Sequence, residues 1–317
     1  MNKIVWFRYD LRISGNYAFT KAIKDGNVLP IFIFDEGLFK LETSSSFHLK
    51  FIKDSLNDLK NKLRKEYNSN LSIYYGNTYE IFKYLIMKYS VSEVYSNRIF
   101  KHKYLTDLDK RCENLFNDLR VKWILTNQFG IDLNHRKRFN WSYNWNKFIQ
   151  ADEKVYKFNC KFININNNFD YNEVKTNKIK GKLIQPGGRD EAIKLLDSFV
   201  ETRSENYQRE MSSPISGETA CSRLSPHITY GTVSLKEIHA QITDKLKKVC
   251  SINKRKSLVA FKSRLAWHCH FIQKLYDEPE IEHKNLNSAF DILRKDFNEK
   301  HYEKWKTGMT GYPFIDA

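Results

Sequence analysis

The sequence predicts a doubly wound α/β parallel sheet over residues 1–126 and an all-helical unit over residues 188–317, joined by a connection at 127–187. Three observations carry this reading. Short apolar runs alternate with helical stripes through the first part. The pattern dissolves in an Asn- and Lys-rich stretch. After Gly187-Gly188 every strong pattern is helical. Apolar runs that alternate with period-3.6 stripes are the mark of βαβ units with right-handed crossovers.

Five strands are expected: Ile4 to Phe7, Val28 to Phe34 ending at Asp35, Leu71 to Tyr75, Glu93 to Ser96 and Val121 to Leu125. Between them lie three stripes. Ile52, Leu56, Leu59 and Leu63 form the first; Ile81, Phe82, Leu85 and Ile86 the second; Leu105, Leu108, Cys112, Leu115 and Leu119 the third. Ligands of such sheets sit at the carboxyl ends of the strands, which places Arg8, Asp10, Arg12 and Asp35 near a pocket. No glycine-rich dinucleotide or P-loop fingerprint follows any strand.

In the connection, Trp141, Tyr143 and Trp145 read as aromatic anchors that pack part of it onto a domain, in preference to a base-stacking platform. In the second unit, Ala192, Leu195, Leu196 and Phe199 make one stripe, and Leu258, Phe261, Leu265, His268, Ile272 and Leu275 another. Ser234 and Glu237 read as a capping box ahead of Leu235, Ile238, Ile242 and Leu246.

Composition narrows the function classes. The chain has 53 Lys and Arg against 37 Asp and Glu, a net charge of +16. This excess fits a polyanionic partner, though Lys is abundant throughout. The five cysteines, Cys112, Cys160, Cys221, Cys250 and Cys269, are dispersed and form no CxxC pair, which fits a reducing compartment. No apolar run of about 18 residues exists and the opening segment does not read as a signal peptide, so a cytoplasmic protein is expected.

The most informative local site is Cys221-Ser222-Arg223-Leu224-Ser225-Pro226. Ser225 suits an N-cap and Pro226 the first helical position, with two hydroxyls and a guanidinium beside them. Such a group can hold a pyrophosphate, but the same residues also serve an ordinary helix start, with Arg223 paired to a carboxylate. Arg264, Trp267, His268, Cys269 and His270 cluster on one helix. His268 and His270 are two apart and face different sides, so no metal site is expected. His268 on the apolar stripe reads as a satisfied core histidine.

Three ordered motifs resemble the DNA photolyase/cryptochrome family. Val5-Trp6-Phe7-Arg8-Tyr9-Asp10-Leu11-Arg12 resembles its opening WFRxDLR signature, with Gly15 where an Asp is usual. CSRLSPHITYGTVS, Cys221 to Ser234, resembles its TSRLSPYLAxGxxS loop, and Thr310 to Ala317 is similar to TGYPxxDA. The resemblance implies an N-terminal domain that holds a folate or deazaflavin antenna and a helical domain that holds FAD. Tyr207 matches an early flavin contact, and Cys221, Ser222, Arg223, Leu224 and Ser225 match the phosphate-side loop, with Cys221 replacing Thr. Phe261, Arg264, Trp267 and His268 fall where many members carry Trp, Glu, Trp and Arg; the resemblance places Phe261, Arg264 and His268 at the flavin site, and Trp267 matches the residue that stacks on a flipped pyrimidine dimer. The activity implied for the full-length parent is that of a deoxyribodipyrimidine photo-lyase: light-driven repair of cyclobutane dimers in damaged DNA by electron transfer from reduced FAD, by a monomer; residues 1–317 alone are expected to be inactive. The alternative is a cryptochrome-type blue-light receptor. In the family the closing motif is followed by the ring-contacting part of the flavin domain. Residues 188–317 are therefore expected to be the first part of that domain, and residues 1–317 alone to hold FAD weakly.

Overall fold

Ile4 and Trp6 are buried on one side of the first strand, and Val5 and Phe7 on the other. A strand buried on both faces needs a layer of helices on each side, which is the doubly wound arrangement. The computed structural model describes residues 1–134, 140–151, 158–165, 167, 169–178, 185–293 and 296–316. Ala317, the end of the closing motif, and parts of the expected connection lie outside them.

The elements of the first unit are β1 (Asn2–Phe7), α1 (Tyr17–Ala22), β2 (Asn27–Asp35), α2 (Glu36–Lys40), α3 (Ser46–Tyr67), β3 (Ser72–Gly76), α4 (Thr78–Tyr89), β4 (Val91–Asn97), α5 (Lys103–Asp118) and β5 (Lys122–Thr126). The strands run in the order β3-β2-β1-β4-β5, and all their pairings are parallel. Val5, Phe7, Val28, Phe32 and Phe34 pack with α1 and with Ile52, Leu56, Leu59 and Leu63 of α3. Ile4, Trp6, Leu29, Ile31 and Ile33 face Phe82, Leu85 and Ile86 of α4 and Leu105, Leu108, Cys112 and Leu115 of α5. All five expected strands and all three stripes are present.

The described part of the connection holds regular elements that its sequence pattern did not predict. It contributes α6 (Trp141–Gln150) and a two-residue strand β6 (Lys161–Phe162). That strand extends the sheet to six by pairing with Asn27 and Val28, beside the stretch of β2 that β3 leaves free. Two residues are too few to show a period. In α6 the period is present, since Trp141, Trp145 and Phe148 are spaced by four and three. Trp145 is buried in the helical core, whereas Tyr143 is 65% exposed and anchors nothing.

The second unit comprises α7 (Arg189–Ser198), which runs on as a π-helical turn at Phe199–Arg203, then α8 (Tyr207–Glu210), α9 (Gly217–Ala220), α10 (Ser225–Thr229), α11 (Leu235–Lys248), α12 (Ile252–Asp277), α13 (Glu299–Lys306) and α14 (Pro313–Asp316). Its core is Ala192, Leu196, Phe199, Leu224, Ile238, Ile242, Leu258, Phe261 and Leu265 with their neighbours. Only half of the expected capping box forms. Ser234 accepts from the Glu237 amide, but the Glu237 carboxylate turns to the Arg189 guanidinium at 2.8 Å. The α12 stripe drifts from Leu265 to Cys269 and Gln273, leaving His268 only partly buried. Beyond α12 the apolar side chains Phe290, Ile292, Phe297, Trp305 and Phe314 are all more than half exposed.

The two units meet along the loop after β1. The Leu11 amide donates to the Tyr230 carbonyl at 3.0 Å, and Arg12 donates to the Gly231 carbonyl at 2.7 Å. Gly231 has φ +64°, and a Cβ there would lie 2.4 Å from the Tyr9 carbonyl, so only glycine fits. At the other seam Gly187 passes over α3, where a Cβ would sit 2.0 Å from the Phe51 carbonyl.

Candidate functional site

Three places gather the residues that the sequence singled out. The first is a cavity of about 240 Å³ at the carboxyl ends of β1 and β2, lined among others by Arg8, Tyr9, Asp35, His48, Lys101, His102 and Tyr230. Arg8 and Asp35 line it as expected; Asp10 and Arg12 do not. Asp10 is buried and accepts from the Arg8 amide and from Asn16 and Asn97, so it shapes the loop. Arg12 is engaged by the carbonyls of Gly231 and Gly15 and by Gln128.

Within this cavity most charges are already compensated. Arg8 forms a bidentate pair with Asp109 and lies 3.9 Å over the Trp6 ring. Asp35 accepts from the amides of Gly37 and Leu38, from Thr78 and from the Tyr104 hydroxyl. Lys101 instead sits 4.4 Å from the centroid of the Tyr9 ring, and burial pushes its ammonium down to about 8. An ammonium facing an aromatic cavity suits an aromatic ligand with an anionic tail.

The second place is a cavity of about 400 Å³ lined by Gln185, Tyr207, Cys221, Ser222, Arg223, Leu224 and Ser225. The expected loop residues and Tyr207 are thus brought together, and among the described residues no carboxylate lines the pocket. Its donors are hydroxyls, an amide and a guanidinium, a set that suits phosphate oxygens. The loop differs from the expected helix start in one respect. Leu224 is the N-cap of α10, and Ser225 lies in the first turn beside Pro226. No side-chain cap bond forms there, so the Ser225 hydroxyl has no capping duty and lines the pocket. The Ser222 hydroxyl accepts from the Leu224 amide, and the Cys221 thiol turns to the Met211 carbonyl at 3.8 Å. Arg223 has φ +62°, a left-handed conformation unfavourable for a side chain of its size. Phe261 packs behind Tyr207 with ring centroids 5.6 Å apart, and burial pushes the Tyr207 hydroxyl up.

The third place is the exposed side of α12. Trp267 is 43% exposed, and the ring of Trp141 from α6 lies 5.8 Å away. Arg264, one turn earlier, is also exposed. His268 departs from expectation. It faces Phe129 at 5.5 Å and a small cavity shared with Tyr9 and Lys101, away from the Tyr207 pocket. It is also not a satisfied histidine: its buried Nδ1 has no hydrogen-bond partner, and burial with the nearby Lys101 charge pushes it down to about 4. No group of three or more possible metal ligands occurs among the described residues, and no described helix is long and apolar enough to cross a membrane.

Sequence reasoning missed Lys101, Gln185 and Arg203, which carry no periodic signal. Gln185 donates to the Arg223 carbonyl at 2.5 Å, and Arg203 bonds the carbonyls of Cys221 and Ser222. Trp141 was legible as an anchor but not as a neighbour of Trp267.

Comparison with known proteins gives a consistent picture. The family model of DNA photolyase matches residues 3–128, and that of the FAD binding domain of DNA photolyase matches residues 261–317. A deoxyribodipyrimidine photo-lyase of Agrobacterium fabrum is 26% identical over 99% of this chain and 67% of its own length. Cryptochrome-2 of Gallus gallus is 25% identical over 98% of this chain, which spans 58% of that relative. Among solved structures, a bacterial class III photolyase from Agrobacterium tumefaciens superposes with a TM-score of 0.78 at 21% identity, covering 99% of this chain and 67% of its own. A Synechocystis cryptochrome gives a TM-score of 0.80 at 16% identity, covering 100% of this chain and 70% of its own. At these identities the two structures show a shared fold.

Proposed function

The chain belongs to the DNA photolyase/cryptochrome family, and on that premise we propose that the protein repairs cyclobutane pyrimidine dimers in DNA with light. The observation that carries the reading is the pairing of two features through α12. Phe261 of that helix backs Tyr207 in the carboxylate-free pocket, and Trp267 of the same helix stands exposed to solvent.

FAD is the cofactor of the family. The donor set of the Tyr207 pocket fits its phosphates. Ser222, Arg223 and Ser225 would hold them, and Tyr207 with Phe261 would close the apolar side. Bound and reduced, FAD supplies the electron that splits the dimer. The chain's own residues bind and position. Trp267 offers a face on which an extruded base can stack, and extrusion is easiest for a damaged, weakly stacked pair. Arg264 would hold a flanking phosphate. The cavity with Lys101 at the strand ends is where we place a folate or deazaflavin antenna. An archaeal photolyase from Sulfolobus tokodaii is described with two FAD molecules, implying a novel light-harvesting cofactor.

A cryptochrome-type blue-light receptor is the second reading. Arg264 favours it, because a guanidinium stands where a lesion-contacting carboxylate is usual. Irradiation of a dimer-bearing oligonucleotide with the protein and reduced FAD separates the two, since only a repair enzyme restores the pyrimidines.

A further inference from the structure

Arg203 ends the π-helical turn Phe199–Arg203, in which the Ser204 amide reaches back to the Phe199 carbonyl at 2.9 Å. A π turn takes in an extra residue and swings the side chains beyond it relative to the helix before it. Here the swing aims the Arg203 guanidinium between α7 and the loop that precedes α10. It donates to the carbonyls of Leu195 at 2.7 Å, of Cys221, and of Ser222 at 3.3 Å, while its Nε donates to Ser198 at 3.0 Å. Every one of these acceptors is neutral. The guanidinium also lies 5.7 Å from the centroid of the Phe199 ring, a core residue.

The residue that follows the two clamped carbonyls is Arg223, in its left-handed conformation. Such a backbone persists only where its surroundings over-determine it. Arg203 fixes the peptide groups on one side and Gln185 fixes the Arg223 carbonyl on the other. The hydroxyls of Ser222 and Ser225 depend on that shape to face one pocket. An uncompensated guanidinium behind the loop adds positive potential where the pocket has no carboxylate, and the like charge of Arg223 stands close enough to lower the Arg203 pKa after burial.

We infer that Arg203 is the positioning residue of the Tyr207 pocket: it holds the Cys221–Ser225 loop in its phosphate-binding shape and supplies charge from behind it. This rests on the reading of that pocket as a site for the phosphates of FAD. The role separates phosphate binding from ring binding, because Arg203 acts on the loop alone.

The test compares the wild type with Arg203→Met and Arg203→Lys, using FAD, riboflavin and inorganic pyrophosphate as probes, together with amide hydrogen exchange of the unliganded proteins. Losing hydrogen bonds of a charged donor to the loop should weaken FAD and pyrophosphate binding in Arg203→Met by about tenfold or more. Riboflavin, which lacks phosphates, should bind all three proteins alike. Arg203→Lys keeps the charge but cannot bridge three carbonyls, so it should recover part of the affinity. In both variants the amides of Ser222–Ser225 should exchange faster while those of α11 and α12 stay protected. Equal FAD affinity in Arg203→Met, or an equal loss for riboflavin, overturns the inference. If the wild type binds neither FAD nor pyrophosphate, the cofactor reading fails. The exchange experiment then still decides whether Arg203 holds the loop, and unchanged exchange there rejects it.

Discussion

Tyr9 and Tyr230 stack with ring centroids 5.6 Å apart and planes inclined by 19°, one ring from the end of β1 and the other from the turn after α10. The stack closes the floor of the strand-end cavity and lies directly beside the Leu11–Tyr230 hydrogen bond. It joins the α/β unit to the segment that follows the Cys221–Ser225 loop, so the two candidate cavities share one structural support.

Gly231 is where that support is least tolerant. Gly231→Ala forces a Cβ onto the Tyr9 carbonyl in a left-handed backbone. It should destabilise the protein by about 2–3 kcal/mol. Gly217→Ala, at the first position of α9 and with only ordinary contacts from 3.5 Å, should be neutral or slightly stabilising. Urea midpoints of the two variants against wild type check both. Equal midpoints would show that the seam yields at no cost.

Trp267 is predicted to act as a stacking face. Trp267→Ala should weaken binding of a dimer-containing oligonucleotide by about 1–3 kcal/mol, the usual scale for a base–aromatic stack. Binding to undamaged duplex should change little. Fluorescence anisotropy with the two labelled duplexes measures the difference, and identical losses on both would assign Trp267 a general packing role instead.

Arg264 is predicted to contact phosphate. Arg264→Ala should weaken damaged and undamaged DNA alike and reduce the slope of log affinity against log salt by roughly one. A loss confined to the damaged duplex would point to direct lesion contact.

Stability should fall as pH drops through the histidine range. His227 is buried and His268 partly buried, and both are neutral, pushed down to about 4 chiefly by burial. Their folded values lie below the ordinary histidine value of 6.5, so the unfolded chain binds more protons between about 6.5 and about 4. Their contribution to stability is therefore full above about 6.5 and lost progressively toward 4. His227, with Nδ1 2.8 Å from Thr232 Oγ1 and Nε2 unpartnered, is the cleaner case. In His227→Asn the dependence of urea stability on pH should flatten by up to about one proton between about pH 5 and 6.5, above the usual carboxylate range. An unchanged slope would show that His227 does not stay neutral.

The fold was legible because its signals are local and repetitive: Ile52, Leu56, Leu59 and Leu63 mark α3 by spacing alone, and all four are buried. β6 was not, because two residues leave no period. The Tyr207 pocket was legible through the Cys221–Ser225 motif. Arg203 and Gln185 were not, because each binds a backbone carbonyl, and a bond to a carbonyl places no demand on the identity of the residue that bears it. His268 falls at the edge of the α12 stripe rather than at its centre because the stripe drifts over its length, a property of helices whose apolar spacing departs from 3.6.

The most direct test of the account is photorepair by the whole protein. A thymine-dimer oligonucleotide is incubated with the protein and excess reduced FAD, with and without blue light, and the restored thymines are quantified by chromatography. The account predicts light-dependent restoration that is lost in Trp267→Ala and absent in the dark. Restoration at the same rate without protein, or FAD binding with no restoration under light, would contradict it, and the second result would assign the chain to the light receptors of its family.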